Sequence, residues 1–145
     1  MGDLEEFIDL ISGSGIYCTR EMPRSKVPLM ISPMVYAGVL ETSVEPGFAG
    51  NFLYEDGLGN PWYGLSAETT LFFDIYSPYL KGGQVCQNTR DTVAELLLDS
   101  FRNHTVRNLT CGQCSYDPKS DCYRCRITLK LKECLMEDGN GEWYI

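Results

Sequence analysis

The stretch CGQCSYDPKSDCYRC at residues 111–125 constrains this chain more than any other feature. It contains two Cys-x-x-Cys pairs separated by seven residues, with Cys111 and Cys114 in the first pair and Cys122 and Cys125 in the second. One such pair presents two sulfurs to a metal ion, and a second pair that returns through a tight reversal completes a tetrahedron. The spacer is long enough for that reversal. The pattern therefore predicts a C-terminal four-cysteine hairpin that holds one structural Zn²⁺.

Other uses of the same thiols remain open. An iron–sulfur cluster would take the same four ligands, and the thiols can also be free or joined in disulfides. A redox site of the thioredoxin type needs one Cys-x-x-Cys at a junction from a strand to a helix, whereas the second pair here runs directly into a predicted strand. Three further cysteines belong to no such pair, so we expect them to be small buried apolar residues and not ligands: Cys18, Cys86 and Cys134.

The compartment bears on this cysteine chemistry. The chain has seven cysteines, an odd number that does not suit a secreted disulfide scaffold. Its start, MGDLEEFIDL, is acidic, whereas a signal peptide begins with basic residues. No apolar run approaches the roughly 18 residues that cross a bilayer. We therefore expect a protein of the reducing cell interior, cytoplasmic or nuclear, with no membrane partner.

Hydrophobic patterning predicts one α+β domain with a mostly antiparallel sheet and two or three short helices. Asp91 or Thr92 is expected to cap the second helix. Ile127, Leu129 and Leu131 alternate with polar residues, which is typical of a half-buried strand. Glycine or proline recurs every few positions in a long region between the helices, which indicates a β-rich body with many turns. The predicted domain 1–145 comprises an acidic helix at 4–12, the β-rich body at 13–87, a helix at 89–102, and the zinc hairpin with C-terminal strands at 110–145.

The net charge of −8 is unevenly distributed. Residues 1–80 contain three Lys and Arg against eleven Asp and Glu, whereas residues 102–132 contain seven bases against two acids. A basic patch on an acidic body suits a weak contact with phosphates, and some of its bases would also offset the negative charge of four thiolates on one Zn²⁺. The residues assigned to a nucleic-acid contact are Lys119, Arg124, Arg126, Lys130 and Lys132.

The first helix has two open interpretations. Leu4, Phe7, Ile8 and Ile11 recur at helical spacing and form one apolar face. That face can pack on the protein's own domain. It can also dock an acidic, amphipathic helix into a groove of a partner protein.

The sequence lacks the residue patterns that are typical of an enzyme. The single histidine, His104, has no flanking motif of a Cys–His hydrolase. A zinc site filled by four cysteines leaves no position for a catalytic water. We therefore expect a non-enzymatic zinc-binding adaptor that acts through a protein partner. The alternative is a zinc-dependent protein that binds RNA or DNA through the basic hairpin 119–132.

In format, a short chain with the pairs Cys111/Cys114 and Cys122/Cys125 resembles the small cysteine-rich viral accessory proteins. Several of those proteins suppress RNA silencing or host defence. The resemblance implies that the adaptor can be a viral antagonist of host defence or RNA silencing. The resemblance covers residues 111–125, and it assigns no functional residue in this chain.

Overall fold

The computed structural model describes residues 3–20, 32–46, 52–55, 57, 61–100, 105–137 and 143–144. Within these ranges the chain forms two α-helices and one eight-stranded sheet. In this part of the chain, neither helix is long and apolar enough to cross a membrane. The elements are α1 (Asp3–Gly13), β1 (Tyr17–Thr19), β2 (Met34–Pro46), β3 (Phe52–Glu55), β4 (Pro61–Pro78), a 3-10 turn (Tyr79–Lys81), α2 (Gly83–Asp99), β5 (Thr105–Cys111), β6 (Ser115–Asp117), β7 (Cys122–Glu137) and β8 (Trp143–Tyr144).

The sheet has the order β1-β2-β4-β7-β5. Strand β3 pairs with the beginning of β4, and the short strands β6 and β8 pair with β7. Every pairing is antiparallel except that of β1 with β2. The prediction of a mixed fold with a mostly antiparallel sheet is therefore confirmed.

Both helices contribute to a core on one face of the sheet, which we call the helix face. Alternate residues of β7 point to it, and Ile127, Leu129 and Leu131 are buried as their pattern predicted. Phe73 on β4 lies on the same face, opposite Ile127 in the register. The ring of Phe7 from α1 meets that of Phe73 edge-on, with the ring centroids 6.2 Å apart. The other face of the sheet, called the open face, is the one to which the intervening polar residues of β7 point.

Helix α1 packs on the protein's own domain. It runs from Asp3 to Gly13, close to the predicted range of 4–12. Its four apolar residues Leu4, Phe7, Ile8 and Ile11 are between 0% and 8% exposed. The structure thus favours the first interpretation of this helix, because side chains buried in the core offer no docking surface to a partner.

Helix α2 begins six residues earlier than the predicted start at 89. Gly82 has a φ of 81°, which places the chain in a conformation that glycine adopts readily, and the helix starts directly after it. Thr92 does not cap the helix, because its hydroxyl donates to the carbonyl of Asn88 inside the helix. The helix ends at Asp99. Residues 101–104, which include the predicted end and His104, lie outside the described residues.

Candidate metal centre

Three thiols from separate elements meet beneath α2. Cys86 comes from α2, Cys114 from the loop between β5 and β6, and Cys125 from β7, and their Sγ atoms all lie within 4.8 Å of one another. The Sγ atoms of Cys86 and Cys125 are 3.8 Å apart. Two sulfurs on one tetrahedral zinc are also about 3.8 Å apart, given a Zn–S bond of about 2.3 Å. This group of thiols, called the thiol cluster below, can hold a metal ion.

The beginning of α2 brings Cys86 to the sheet. Gly83 lies against Tyr123 of β7 so closely that a Cβ atom at Gly83 would be 3.3 Å from the ring. Cys86 follows one turn later, on the same buried side of the helix as Val93 and Leu97. The close approach at Gly83 therefore sets the depth at which the first thiol meets β7.

Gly112 ties the loop that carries Cys114 to the other two elements. Its N–H donates to the carbonyl oxygen of Arg126 on β7 over 2.7 Å. Its own carbonyl accepts a hydrogen bond from the guanidinium of Arg90 on α2 over 3.1 Å. A Cβ atom at Gly112 would lie 3.0 Å from the Arg126 oxygen, so the site suits glycine. The loop is thus held in place by hydrogen bonds that need no metal.

Protonation of the thiol cluster is uneven. The hydrogen bond with Cys125 lowers the pKa of Cys86 from 9.0 to about 7, although burial opposes this change. The same bond raises the pKa of Cys125. Burial, more than the contact with Cys86, raises the pKa of Cys114 to about 11. In the absence of metal, one thiol of the cluster ionises near neutral pH and the others keep their protons, which a metal ion must displace.

The structure brings together two of the four predicted ligands, Cys114 and Cys125, and it does not confirm the predicted four-cysteine hairpin. A hairpin of β6 and β7 does form. However, Cys122 and Cys125 are an odd number of positions apart on a strand, so their side chains point to opposite faces. Cys122 is buried on the open face with Tyr36 and Tyr76, and its Sγ lies 2.8 Å from the hydroxyl of Ser120. Cys111, at the end of β5, is exposed and lies outside the thiol cluster.

Cys86 was expected to be a lone buried cysteine, and the structure instead places it in the thiol cluster. Cys18 is indeed buried in the core, whereas the side chain of Cys134 lies outside the described part of the chain. The spacing of Cys86, Val93 and Leu97 carried a usable signal, because the three share one face of a helix that begins at Gly83. The signal was missed because the helix was expected to begin at residue 89, which left Cys86 outside it.

The predicted basic residues do not surround the thiol cluster. Arg124 and Arg126 point to the open face, where both pair with the carboxylate of Asp74. Two further bases of β7 are exposed on the same face, and one lies in the exposed turn before the strand: Lys130, Lys132 and Lys119. Among the described residues, Arg90 is the cation that interacts electrostatically with the cluster.

No protein-family model matches the chain, and no curated protein matches it either. The fold and the thiol cluster are therefore the basis for a functional proposal.

Proposed function

We propose that this protein is a non-enzymatic adaptor whose fold is completed by one structural Zn²⁺ bound at the thiol cluster. The observation that supports zinc is the meeting of Cys86, Cys114 and Cys125 at a spacing that suits one tetrahedral ion. Thiolates are soft ligands that select zinc, copper(I) or iron–sulfur clusters. In an iron–sulfur cluster the cysteines bind different irons, so their sulfurs are more widely spaced than these are. A single zinc ion is the better fit.

A zinc ion at this position would have a structural role. It would join α2 to the loop after β5 and to β7, three elements that are otherwise connected by packing and by the hydrogen bonds of Gly112. Binding to such a site contributes directly to the free energy of folding. Two of the three thiols are buried, which does not suit access of a substrate to the metal.

The adaptor function is supported by a groove between the two helices. The groove has a volume of about 440 Å³. Apolar side chains line it, and one of them, Leu10, is 39% exposed. Three exposed carboxylates lie along it, and no lysine or arginine of the described residues does. The lining residues are Glu6, Phe7, Asp9, Leu10, Leu96, Asp99 and Ser100.

The charge of this groove indicates the chemistry of its partner. A groove with apolar walls and an acidic rim is complementary to a basic, amphipathic segment, whose apolar side chains would contact Leu10 and Leu96. Its lysines or arginines would pair with Asp9 and Asp99. The first helix then serves the partner through its exposed side, while its buried side belongs to the core.

The experiment uses two synthetic helical peptides of equal length, one of leucine and lysine and one of leucine and glutamate. We expect only the basic peptide to bind, and its NMR shift changes to concentrate at α1 and α2. The double variant Asp9→Lys/Asp99→Lys should lose this binding. The control Glu41→Lys, which reverses the charge of one exposed carboxylate on β2 just as each of these substitutions does at the groove, should retain it. Equal binding of both peptides, or shift changes outside the groove, would contradict the adaptor proposal.

The nucleic-acid alternative rests on a different surface. Lys130 and Lys132 are exposed on the open face of β7, where they can meet phosphates. Arg124 and Arg126 are less available for that role because both already pair with Asp74. A viral antagonist of host defence or RNA silencing is one form of either function.

A further inference from the structure

We infer that the thiol cluster is completed by Cys111, so that the metal site consists of Cys86, Cys111, Cys114 and Cys125. This inference rests on the proposed zinc function and names the ligand set of that site. It replaces Cys122, the partner that the spacing of the two Cys-x-x-Cys pairs indicated.

Cys122 is excluded by the geometry of β7. Two sulfurs bound to one zinc are at most about 4.6 Å apart, twice the Zn–S bond length. Cys122 and Cys125 are separated by three positions, or about 10 Å along a strand, and they point to opposite faces. The side chain of Cys122 is 2% exposed and packed against Tyr36 and Tyr76. A sulfur in that environment would have to cross the sheet to reach the thiol cluster.

Cys111 lies on the correct face. It pairs with Ile127 in the register of β5 and β7, and Ile127 points to the helix face. Cys125 is two positions from Ile127 on the same strand, so Cys111 and Cys125 are diagonal neighbours on one face. Diagonal neighbours in an antiparallel pair are about 7–8 Å apart. Two cysteine side chains can span that distance through a zinc ion, which holds their sulfurs about 3.8 Å apart. The thiol of Cys111 is exposed, so it can turn toward the cluster without displacing a core side chain.

The backbone between Cys111 and Cys114 is already arranged for two ligands. Gly112 is hydrogen-bonded to Arg126, next to Cys125, and to Arg90, one helical turn after Cys86. Both anchors lie beside another cysteine of the inferred set. The Cys-Gly-Gln-Cys segment is therefore fixed relative to the remaining two ligands, and only the side chain of Cys111 has to rotate.

The charge of the site is consistent with this set. Four thiolates on one Zn²⁺ carry a net negative charge, which a nearby cation stabilises. Arg90 interacts electrostatically with all four cysteines of the inferred set. Its guanidinium also contacts the carbonyl of Gly112 and is paired with Asp91 at 3.2 Å. Arg90 is thus placed to offset the charge that Cys111 would add.

The test is a titration of the full-length, metal-free protein with Co²⁺ under reducing conditions, followed by competition with Zn²⁺. Each thiolate on cobalt contributes to the charge-transfer absorption in the near ultraviolet. We expect Cys111→Ser to retain about three quarters of the wild-type absorption per bound cobalt, because three of four thiolates remain. Loss of an outer-shell partner costs 10–100-fold in metal affinity, so loss of a ligand should lower the zinc affinity by about 100-fold or more.

Two further variants make the result decisive. Cys122→Ala should keep the full absorption and the wild-type affinity, whereas Cys111→His should recover affinity relative to Cys111→Ser because imidazole also binds zinc. Circular dichroism of each metal-free variant checks that it folds. The ligand set is overturned if Cys122→Ala loses absorption while Cys111→Ser does not. It is also overturned if neither Cys122→Ala nor Cys111→Ser loses absorption, because the metal would then be held by three cysteines and a water. A wild-type protein that binds neither metal would instead overturn the proposed zinc function itself.

Discussion

The buried carboxylate of Asp74 allows a prediction whose size can be worked out from the contacts. Its side chain is 6% exposed. Arg126 donates to both of its oxygens, over 2.7 Å and 3.0 Å, and Arg124 donates to one over 3.4 Å. The two arginine side chains are 41% and 40% exposed, and their guanidinium groups lie over the rings of Phe72 and Tyr76. One end of this network is thus buried and the other is in contact with solvent.

Because the carboxylate is buried and the arginines are half-exposed, we expect substitution of Asp74 and substitution of Arg126 to lower the free energy of unfolding by different amounts. Asp74→Ala removes hydrogen bonds to a charged group, worth about 1.5–3 kcal/mol, and solvent screening of the half-exposed arginines favours the lower end. The arginines can then turn to water. Arg126→Ala leaves a buried carboxylate whose remaining described arginine contact is Arg124 at 3.4 Å, which should cost about 3 kcal/mol. We expect Arg126→Ala to destabilise the protein by about 1 kcal/mol more than Asp74→Ala.

Equilibrium unfolding in urea measures both values, in reduced protein saturated with Zn²⁺ so that metal binding does not differ between variants. Arg124→Ala is the matched control, because it removes one long hydrogen bond to Asp74 and the contact with the Tyr76 ring from a half-exposed side chain, and it should cost about 1 kcal/mol or less. An Asp74→Ala variant that loses as much stability as Arg126→Ala, or more, would show that burial of the carboxylate does not set the relative cost of the two substitutions.

Three other predictions concern the metal loop, the open face and the core. Gly112→Ala should weaken zinc binding by about tenfold, because its Cβ would lie 3.0 Å from the Arg126 oxygen and shift the loop that carries Cys114. Chelator competition measures this change, and an unchanged affinity would contradict the role of Gly112 in positioning the loop. Lys130→Glu/Lys132→Glu should abolish RNA and DNA binding at low salt if the nucleic-acid alternative holds, and it should leave binding of the basic peptide intact; loss of the peptide instead would contradict the separation of the two surfaces. Burial raises the pKa of Cys18 from 9.0 to about 12, so the unfolded chain loses this proton at lower pH than the folded protein does. The free energy of unfolding should therefore fall as pH rises from 9 to 12, and it should fall less in Cys18→Ala; equal slopes would contradict this assignment.

The sequence predicted the local features of the fold well where one periodicity dominates. The alternation of Ile127, Leu129 and Leu131 identified β7, and the helical spacing of apolar residues in α1 identified that helix and its buried side. Each of these patterns lies within one short segment of the sequence, because the buried face belongs to a single strand or a single helix.

The ligand set was harder to predict, although part of it was present in the sequence. Cys125 is in phase with Ile127 on β7, and Cys122 is out of phase, so a Cys-x-x-Cys pair inside a strand cannot direct both sulfurs to one face. An interpretation based on the Cys-x-x-Cys spacing alone assumes that Cys122 and Cys125 lie in a loop, where both sulfurs can face one ion. The strand pattern and the motif had to be considered together to separate the two cysteines.

Hydrophobic patterning did not predict the contacts between residues far apart in the sequence. Cys86 approaches Cys125 on a helix that begins directly after Gly82 and lies close to Tyr123 at Gly83. The pairing of Asp74 with Arg126 joins residues that are 52 positions apart. This pairing depends on how β4 and β7 align, and no local propensity determines that register.

X-ray absorption spectroscopy at the zinc edge, together with elemental analysis of reductively purified protein, tests the metal centre most directly. We predict about one zinc per chain, coordinated by four sulfurs at about 2.3 Å. Protein that contains no zinc after reductive purification and cannot be loaded with it, or zinc surrounded by nitrogen and oxygen atoms, would contradict a zinc site of four cysteines.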